Sequence, residues 1–275
     1  MLFSSVPFLF YFLPAALLLY FLVPRRLKNA ALLLASLFFY AWGEPVYLFL
    51  MIAAAAVNWG FGLLIEKRHK RVFLVLALVL DLGCLAVFKY TGFVVENLNA
   101  LFGASIPVPV IALPIGISFY TFQTMSYTID VYRGLVPPQR NIIDFSAYVT
   151  LFPQLIAGPI VQYKTVAADL ENRNRESLAG ASAGMQRFVI GLGKKVLLAN
   201  QMGAVWEEIA AMSAPSVVTA WLGALAFTFQ IYFDFSGYSD MAIGLGRLFG
   251  FRFLENFNYP YESVSYTHLT LPTIR

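Results

Sequence analysis

Cysteine and histidine are almost absent from this chain of 275 residues. Cys84 is the single cysteine, and His69 and His268 are the two histidines. One cysteine excludes a disulfide within the chain, and the histidines lack the paired spacing of a metal site. The glycine-rich loop that binds phosphates and the Gly-x-Ser-x-Gly turn of serine hydrolases are also missing. We therefore predict no bound metal, and none of these motifs supplies a catalytic residue.

Charged residues are scarce as well, at 12% of the chain against 59% hydrophobic residues. Soluble domains are about a quarter charged, and the apolar runs here reach the roughly 20 residues needed to span a bilayer. The net charge of +4 lies mostly in short loops between those runs, which is the pattern that orients membrane proteins. The composition excludes a nucleic-acid partner and predicts an all-α, polytopic transmembrane protein whose partner is the lipid bilayer.

If successive apolar runs cross the membrane in turn, all the basic loops lie on the same side. Residues 25–28, 67–71 and 133–140 then share a side, and residues 97–109 lie opposite without Lys or Arg. The positive-inside rule makes the basic side cytoplasmic and the N-terminus extracytoplasmic, which in a bacterium means the inner membrane. The predicted crossing runs are residues 6–23, 46–65, 72–95 and 110–132, and residues 29–42 form a shorter run.

Residues 148–163 form an apolar run with internal breaks. Pro153 and the pair Gly158 and Pro159 interrupt it, and Gln154 lies between them. Proline removes a helical donor, so irregular backbone at this depth needs protein or water around it. We interpret the run as a re-entrant segment, with a kinked span as the alternative.

A lysine pair, Lys194 and Lys195, ends the glycine-containing run at residues 185–193. Long lysine side chains near a helix end reach toward lipid headgroups, and this is the interpretation that we favour. Binding of an anionic donor and a helix lying in the membrane interface remain open.

The most informative segment is a polar cluster within an apolar helical run that begins near Val217. A lone carboxylate at bilayer depth costs several kcal/mol, so two carboxylates within seven residues are not expected to face lipid. The cluster must line a water-filled cavity or pack inside protein, either as a functional site or as a hydrogen-bonded network that locks helices together. Its members are Gln230, Asp234, Ser236, Tyr238, Ser239 and Asp240.

Several ordered motifs together resemble the membrane-bound O-acyltransferase family, in its bacterial alginate O-acetyltransferase-like branch. The resemblance extends from the N-terminus to about Tyr261, and each motif would be weak alone. The motifs are Tyr-Ala-Trp-Gly-Glu-Pro at 40–45, Phe-Lys-Tyr at 88–90, Leu-Pro-Ile-Gly-Ile-Ser-Phe-Tyr-Thr-Phe-Gln at 113–123, Asp-Val-Tyr-Arg-Gly at 130–134, Phe-Pro-Gln-Leu-Ile-Ala-Gly-Pro-Ile at 152–160, the polar segment 230–246, and Asn-Phe-Asn-Tyr-Pro-Tyr at 256–261.

The resemblance implies a ring of helices around a tunnel that joins a cytoplasmic acyl donor to an acceptor on the far side. It implies acetyl-CoA as the donor, an exported polysaccharide as the acceptor, an extracytoplasmic acetyltransferase partner, and a histidine that acts as general base. The positions that match the motifs, Asp234, Ser236, Tyr238, Asp240 and Gln154, are then tunnel or pocket candidates.

The chain departs from the family after Tyr261. Relatives continue into a Trp-Arg-Arg-Trp-His-type motif that carries the catalytic histidine, whereas residues 263–275 here form a short polar tail. We therefore expect residues 1–262 to be the N-terminal part of one transmembrane domain and residues 263–275 to be non-native. On this interpretation the chain contains no catalytic residue, and His268 is not the general base.

Two other functions remain open. A relative on the same scaffold transfers D-alanine to teichoic acid and takes its donor from a carrier protein. From a different class, a transporter or channel would use the polar cluster to bind an ion or a solute. Such a transporter would show internal pseudo-symmetry, and the two halves of this sequence show none.

Overall fold

The computed structural model describes residues 2–67, 69–109, 111–155, 161–172, 176–255 and 257. Within these ranges the chain forms helices and no strands, which confirms the all-α prediction. The α-helices are α1 (Leu13–Leu22), α2 (Lys28–Gly43), α3 (Leu48–Lys67), α4 (Lys70–Phe102), α5 (Ile117–Arg133), α6 (Ile142–Thr150), α7 (Phe152–Leu155), α8 (Tyr163–Glu171), α9 (Leu178–Gly193), α10 (Asn200–Ala210) and α11 (Val217–Leu248).

Three of the described helices, α3, α4 and α11, are long and apolar enough to cross a membrane. The chain is therefore a membrane protein. Its contacts divide it into two compact units: unit 1 comprises the described residues of 1–19, 157–161 and 172–275, and unit 2 those of 20–156 and 162–171. The boundaries predicted for one transmembrane domain and a non-native tail stay a prediction, because residues 258–275 lie outside the described residues.

Helix α4 is longer than predicted. We expected a loop from residue 97, but the helix continues to Phe102 and ends at Gly103 in the left-handed conformation. The amide of Asn97 donates to the Phe93 carbonyl, and Asn99 exchanges two hydrogen bonds with the backbone of Ile106. Asn97 thus bonds within the helix and Asn99 ties the last helical turns to the segment after Gly103, so residues that suggested a loop are accommodated in α4.

Helix α5 begins at Ile117, so the prediction of a crossing helix from residue 110 was wrong at its start. Gly116 precedes α5 with φ of 77°, and a Cβ there would lie 2.8 Å from the Leu155 carbonyl oxygen, so only glycine fits this turn. The helix buries polar side chains in unit 2, so it is less apolar than α3, α4 and α11. These side chains are Thr121, Gln123, Thr124, Thr128 and Asp130.

The break predicted near Pro153 is present, between α6 and α7. Leu151 leaves the helical conformation, and the hydroxyl of Ser36 in α2 accepts a hydrogen bond from the Phe152 N–H at 3.1 Å. Every residue of α7 is buried. Irregular backbone at this point is therefore surrounded by protein. This is expected in a membrane protein, because lipid cannot hydrogen-bond exposed backbone groups. The predicted break at Gly158 and Pro159 lies outside the described residues, and membrane re-entry stays a prediction.

Unit 1 is built on an antiparallel pair, α9 and α11. Gly184 faces Gly244, and Gly191 faces Gly237, so the contacts repeat seven residues apart on both helices. A Cβ on Gly191 would lie 2.6 Å from the Gly237 carbonyl oxygen, so only glycine, which has no Cβ, fits at this position. Small residues allow two helix backbones to approach this closely in a membrane protein. Helix α9 continues through a π-helical turn, Lys194–Ala199, into α10.

Candidate functional site

Asp240, predicted as a pocket residue, lies on α11 where it meets α9. Its Oδ1 accepts hydrogen bonds from Nε and Nη2 of Arg187 at 2.9 and 2.8 Å, and its Oδ2 accepts one from Nζ of Lys194 at 2.6 Å. Only 13% of the Asp240 side chain is exposed. One carboxylate thus binds two cations away from bulk solvent, where charge-assisted hydrogen bonds are strong.

Asp234 lies one and a half turns earlier on α11 and has its own cation. Nζ of Lys195 is 2.7 Å from Asp234 Oδ1, and 40% of the Asp234 side chain is exposed. This pair is therefore more hydrated than the one at Asp240, and a hydrated ion pair contributes less to stability.

The π-helical turn that begins at Lys194 contains both lysines. In an α-helix consecutive side chains point about 100° apart, yet Lys194 and Lys195 both contact carboxylates of the same neighbouring helix. The wider turn coincides with this double contact, and π-helical turns occur frequently at functional sites. We use the name charge cluster for the set Arg187, Lys194, Lys195, Asp234, Asp240 and Glu255.

Glu255 joins the charge cluster from the segment that follows α11. Both carboxylate oxygens of Glu255 accept hydrogen bonds from the Arg187 guanidinium, through Nη1 and Nη2. Arg187 therefore bridges Asp240 on α11 and Glu255 beyond its end. This arrangement ties the segment after α11 to α9.

The uncharged candidates on α11 lie inside unit 1. The Tyr238 ring stacks on Phe3, with 4.7 Å between the ring centres. Ser236 and Ser239 are buried, and neither hydroxyl has a hydrogen-bond partner among the described residues; the same holds for the Gln230 Oε1 atom. Buried polar atoms are normally hydrogen-bonded, so three such atoms on one helical segment indicate a place where a ligand or water would bind.

Gln154 belongs to unit 2 and is described with it. Its Nε2 donates to the Tyr148 carbonyl at 2.6 Å, which satisfies a backbone acceptor near the break between α6 and α7. Its Oε1 is buried and has no partner among the described residues. The side chain therefore supports the irregular backbone with one end and leaves an acceptor available at the other.

The sequence did not connect the cations of the charge cluster to α11. The interpretation that Lys194 and Lys195 reach lipid headgroups was wrong, since both ammonium groups contact carboxylates of α11. Arg187 and Glu255 were not singled out at all. The signal that was available is the repeat of glycines seven residues apart, at 184 and 191 and at 237 and 244, which predicts close contact of these two segments.

A second polar site was also missed, in unit 2. Asp81 in α4 is buried and accepts a hydrogen bond from Nδ2 of Asn58 in α3 at 2.8 Å. The hydroxyl of Thr124 in α5 lies 3.4 Å from the other carboxylate oxygen. These contacts join three helices through uncharged donors. The sequence shows an acid within an apolar run but does not indicate its partners.

The described residues of unit 1 include no histidine. His69 is exposed in the link between α3 and α4 of unit 2, as predicted for a loop histidine, and His268 lies outside the described residues. No group of three or more His, Cys, Asp or Glu side chains in the described part of the chain is arranged to bind a metal ion. The charge cluster can orient and neutralise groups, but its acids already bind cations and are poorly suited to remove a proton from a hydroxyl.

Comparison with known proteins gives a consistent result. Residues 138–269 match MBOAT, the membrane-bound O-acyltransferase family. This range contains α9, α11 and every site residue predicted from the sequence.

Three curated relatives resemble nearly the whole chain. It is 47% identical over 288 residues to "Probable alginate O-acetylase AlgI" of Azotobacter vinelandii, with 99% of this chain and 58% of that protein covered. It is 46% identical to the protein of the same name from Pseudomonas aeruginosa, with 99% and 55% covered. It is 34% identical over 302 residues to "Peptidoglycan O-acetyltransferase" of Helicobacter pylori, with 96% and 57% covered. The chain therefore spans little more than half the length of these relatives.

Proposed function

This chain belongs to the membrane-bound O-acyltransferase family, and from that premise we propose that it acts in O-acetylation of an exported polysaccharide such as alginate. The observation that carries the proposal is the 47% identity over 99% of the chain to a protein named for alginate O-acetylation. The shared region includes α9 and α11, where the charge cluster and the buried hydroxyls of Ser236 and Ser239 lie.

The reaction that we propose is transfer of an acetyl group from acetyl-CoA to a polysaccharide hydroxyl. The hydroxyl oxygen attacks the thioester carbonyl, a base accepts the hydroxyl proton, and the coenzyme A thiolate leaves. In this proposal Asp234, Ser236 and Tyr238 line the path of donor and acceptor in unit 1, and Asp240 holds α11 against its cationic neighbours. Gln154 is a separate candidate in unit 2. The base is the histidine expected in the family motif downstream of Tyr261, a group whose pKa near 6.5 suits proton removal at neutral pH.

The proposed setting is the inner membrane of a bacterium, with the N-terminus extracytoplasmic and an extracytoplasmic acetyltransferase as partner. The one-sided distribution of loop Lys and Arg supports this orientation. Cysteine labelling tests it in a Cys84→Ala background. Lys70→Cys should react with a membrane-impermeant maleimide only after the cells are opened, whereas Ala104→Cys should react in intact cells. Labelling of Lys70→Cys from outside would contradict the topology.

Acetyl transfer itself is tested in membrane vesicles with acetyl-CoA labelled in the acetyl group and alginate as acceptor. The chain of 275 residues and a form extended with the natural sequence after Tyr261 are expressed side by side. We expect transfer by the extended form and none by the chain alone. Transfer by the chain alone that disappears with His268→Ala would refute the assignment of the base to the downstream motif.

D-alanyl transfer to teichoic acid is the alternative within the family. It is distinguished by the donor, because a D-alanyl carrier protein and not acetyl-CoA would then support labelling of the acceptor. A transporter or channel is the alternative from another class. Uptake of a solute or ion into vesicles that does not depend on any acyl donor would favour it.

A further inference from the structure

A cavity of about 330 Å³ lies in unit 1, where α9 begins and α11 ends. Arg247 and Arg252 both line it, and Ser177 and Gly180 contribute the wall formed by the start of α9. None of the described residues that line the cavity is acidic. Its volume falls within the range of about 300–1,000 Å³ that small-molecule sites occupy.

The turn after α11 brings the second arginine back to the cavity. Gly250 has φ of 81°, which reverses the chain, and the Phe251 N–H donates to the Gly246 carbonyl at 2.8 Å. Phe251 and Phe253 are buried on one side of the returning segment, and Arg252 between them is exposed. The alternation is that of an extended strand, so packing of the two rings sets the direction of the Arg252 side chain.

Arg247 keeps hydrogen-bonding capacity for a ligand. Its Nη2 lies 3.6 Å from Glu255 Oε1, which is too long for a strong hydrogen bond. Glu255 is engaged more closely by Arg187, which contacts both of its carboxylate oxygens. The Arg247 side chain is 39% exposed, so its guanidinium can still donate hydrogen bonds to a ligand.

We propose that this cavity binds a phosphate group carried by a larger ligand. Two arginine side chains that line one concave site suit the charge of phosphate, which arginine contacts through paired N–H donors. The volume exceeds that of an inorganic ion, so the ligand extends beyond the phosphate. The phosphate belongs either to the headgroup of an anionic phospholipid or to a soluble ligand such as coenzyme A. The second source rests on the proposed function, and the first does not.

Direct binding to the purified chain tests the site. Binding of radiolabelled coenzyme A is measured by equilibrium dialysis in detergent at fixed ionic strength. Retention of phosphatidylglycerol against phosphatidylcholine is measured by native mass spectrometry after release from mixed-lipid nanodiscs. The variants are Arg247→Gln, Arg252→Gln and the double substitution. Arg140→Gln is the matched control, because Arg140 is an exposed arginine of unit 2 that pairs with Glu66 and does not line the cavity.

Each single substitution should weaken binding of the phosphate ligand about tenfold, since a hydrogen bond to a charged group contributes roughly that much. Loss of coenzyme A binding alone identifies the soluble source, and loss of phosphatidylglycerol retention alone identifies the lipid source. The proposal is overturned if the parent binds neither probe. It is also overturned if the double variant binds both probes as tightly as the parent does. Arg252 is exposed, so Arg252→Gln should fold normally. This variant therefore tests the site even if Arg247→Gln does not fold. Acetyl transfer is not measured, so failure of the proposed enzyme activity leaves this result unchanged.

Discussion

Asp81 in unit 2 and Asp240 in unit 1 are both largely buried, but they are held by different kinds of donor. Asp81 accepts from the amide of Asn58 and lies near the Thr124 hydroxyl, and both of these donors are uncharged. Asp240 accepts from Arg187 and Lys194, which are cations. Removal of Asp81 leaves an uncharged amide without its acceptor. Removal of Asp240 leaves the positive charge of Lys194 without its partner, which costs more.

The difference suggests a division of roles. The contacts of Asp81 join α3, α4 and α5 and account for the acid without any ligand. The charge cluster of unit 1 concentrates charge beside buried hydroxyls that lack partners, and it extends to Glu255 after the end of α11. Costly buried charges that adjoin unsatisfied polar groups are typical of functional sites in membrane proteins.

Asp240→Ala should produce the largest loss of stability, because it leaves Arg187 and Lys194 without their shared acceptor. Breaking a fully buried pair costs about 3–5 kcal/mol, and we expect a loss toward the lower end of that range because Arg187 retains Glu255 and the Lys194 side chain is 32% exposed. The measurement is thermal unfolding in detergent together with the yield of monodisperse protein. Glu66→Ala is the control: its partner Arg140 is 69% exposed, and such surface pairs contribute at most about 1 kcal/mol. Equal losses in the two variants would remove the distinction between buried and exposed pairs here.

Gly191→Ala should destabilise unit 1 by about 1–3 kcal/mol, the usual cost of overpacking. The added Cβ would lie 2.6 Å from the Gly237 carbonyl oxygen and 2.7 Å from the Met241 nitrogen, which are backbone atoms that cannot rotate away. Gly193→Ala is the matched control two residues along the chain, since no atom lies within 4 Å of its new Cβ. Thermal unfolding of both variants compares them, and a Gly193→Ala loss as large as that of Gly191→Ala would contradict the glycine contact.

Asp81→Ala should cost about 1–3 kcal/mol, because the Asn58 amide loses its acceptor in a buried place. Asp81→Asn retains an oxygen at nearly the same position and should stay within about 1 kcal/mol of the parent if the side-chain amide turns that oxygen toward Asn58. Unfolding temperatures of the two variants provide the comparison. If asparagine is as damaging as alanine, the negative charge itself is required, and unit 2 resembles unit 1 more than its contacts indicate.

Asp234→Ala should have the smallest effect on stability, below about 1 kcal/mol, because its pair with Lys195 is partly hydrated. In the extended, acetylating form we nevertheless expect a strong loss of activity. Folded yield and acetyl transfer are measured on the same preparation. Parental acetylation at parental yield would exclude a role for Asp234 in the pocket, and loss of folded protein would assign it to helix packing.

Local patterns in the sequence predicted a large part of this fold. Apolar runs of spanning length predicted α3, α4 and α11, and Pro153 predicted the break between α6 and α7. The ends of helices were harder to predict from the sequence. Phe102 ends α4 later than the asparagines suggested, because Asn99 bonds to the backbone of Ile106. Helix α5 begins only after Gly116, where the chain passes close to Leu155, a residue distant in sequence.

The candidate site also has a part that the sequence predicted and a part that it did not. The polar segment of α11 stands out in the sequence because carboxylates are costly at bilayer depth, and this reasoning needs no partner to be known. The cations that bind those carboxylates lie 39 to 53 residues earlier, at positions that periodicity alone does not connect to α11. For this reason the lysine pair was assigned to the membrane surface.

The sequence by itself determined that this protein is helical, lies in a membrane, belongs to an acyltransferase family and carries polar groups on α11, because composition, run length and ordered motifs are properties of the chain alone. Only the tertiary structure decided that Arg187 bridges Asp240 and Glu255, that Lys194 and Lys195 contact α11, and that Arg247 and Arg252 meet at one cavity. The glycine register of α9 and α11 brings together residues that are far apart on the extended chain, and the reversal at Gly250 returns Arg252 to the cavity that Arg247 lines.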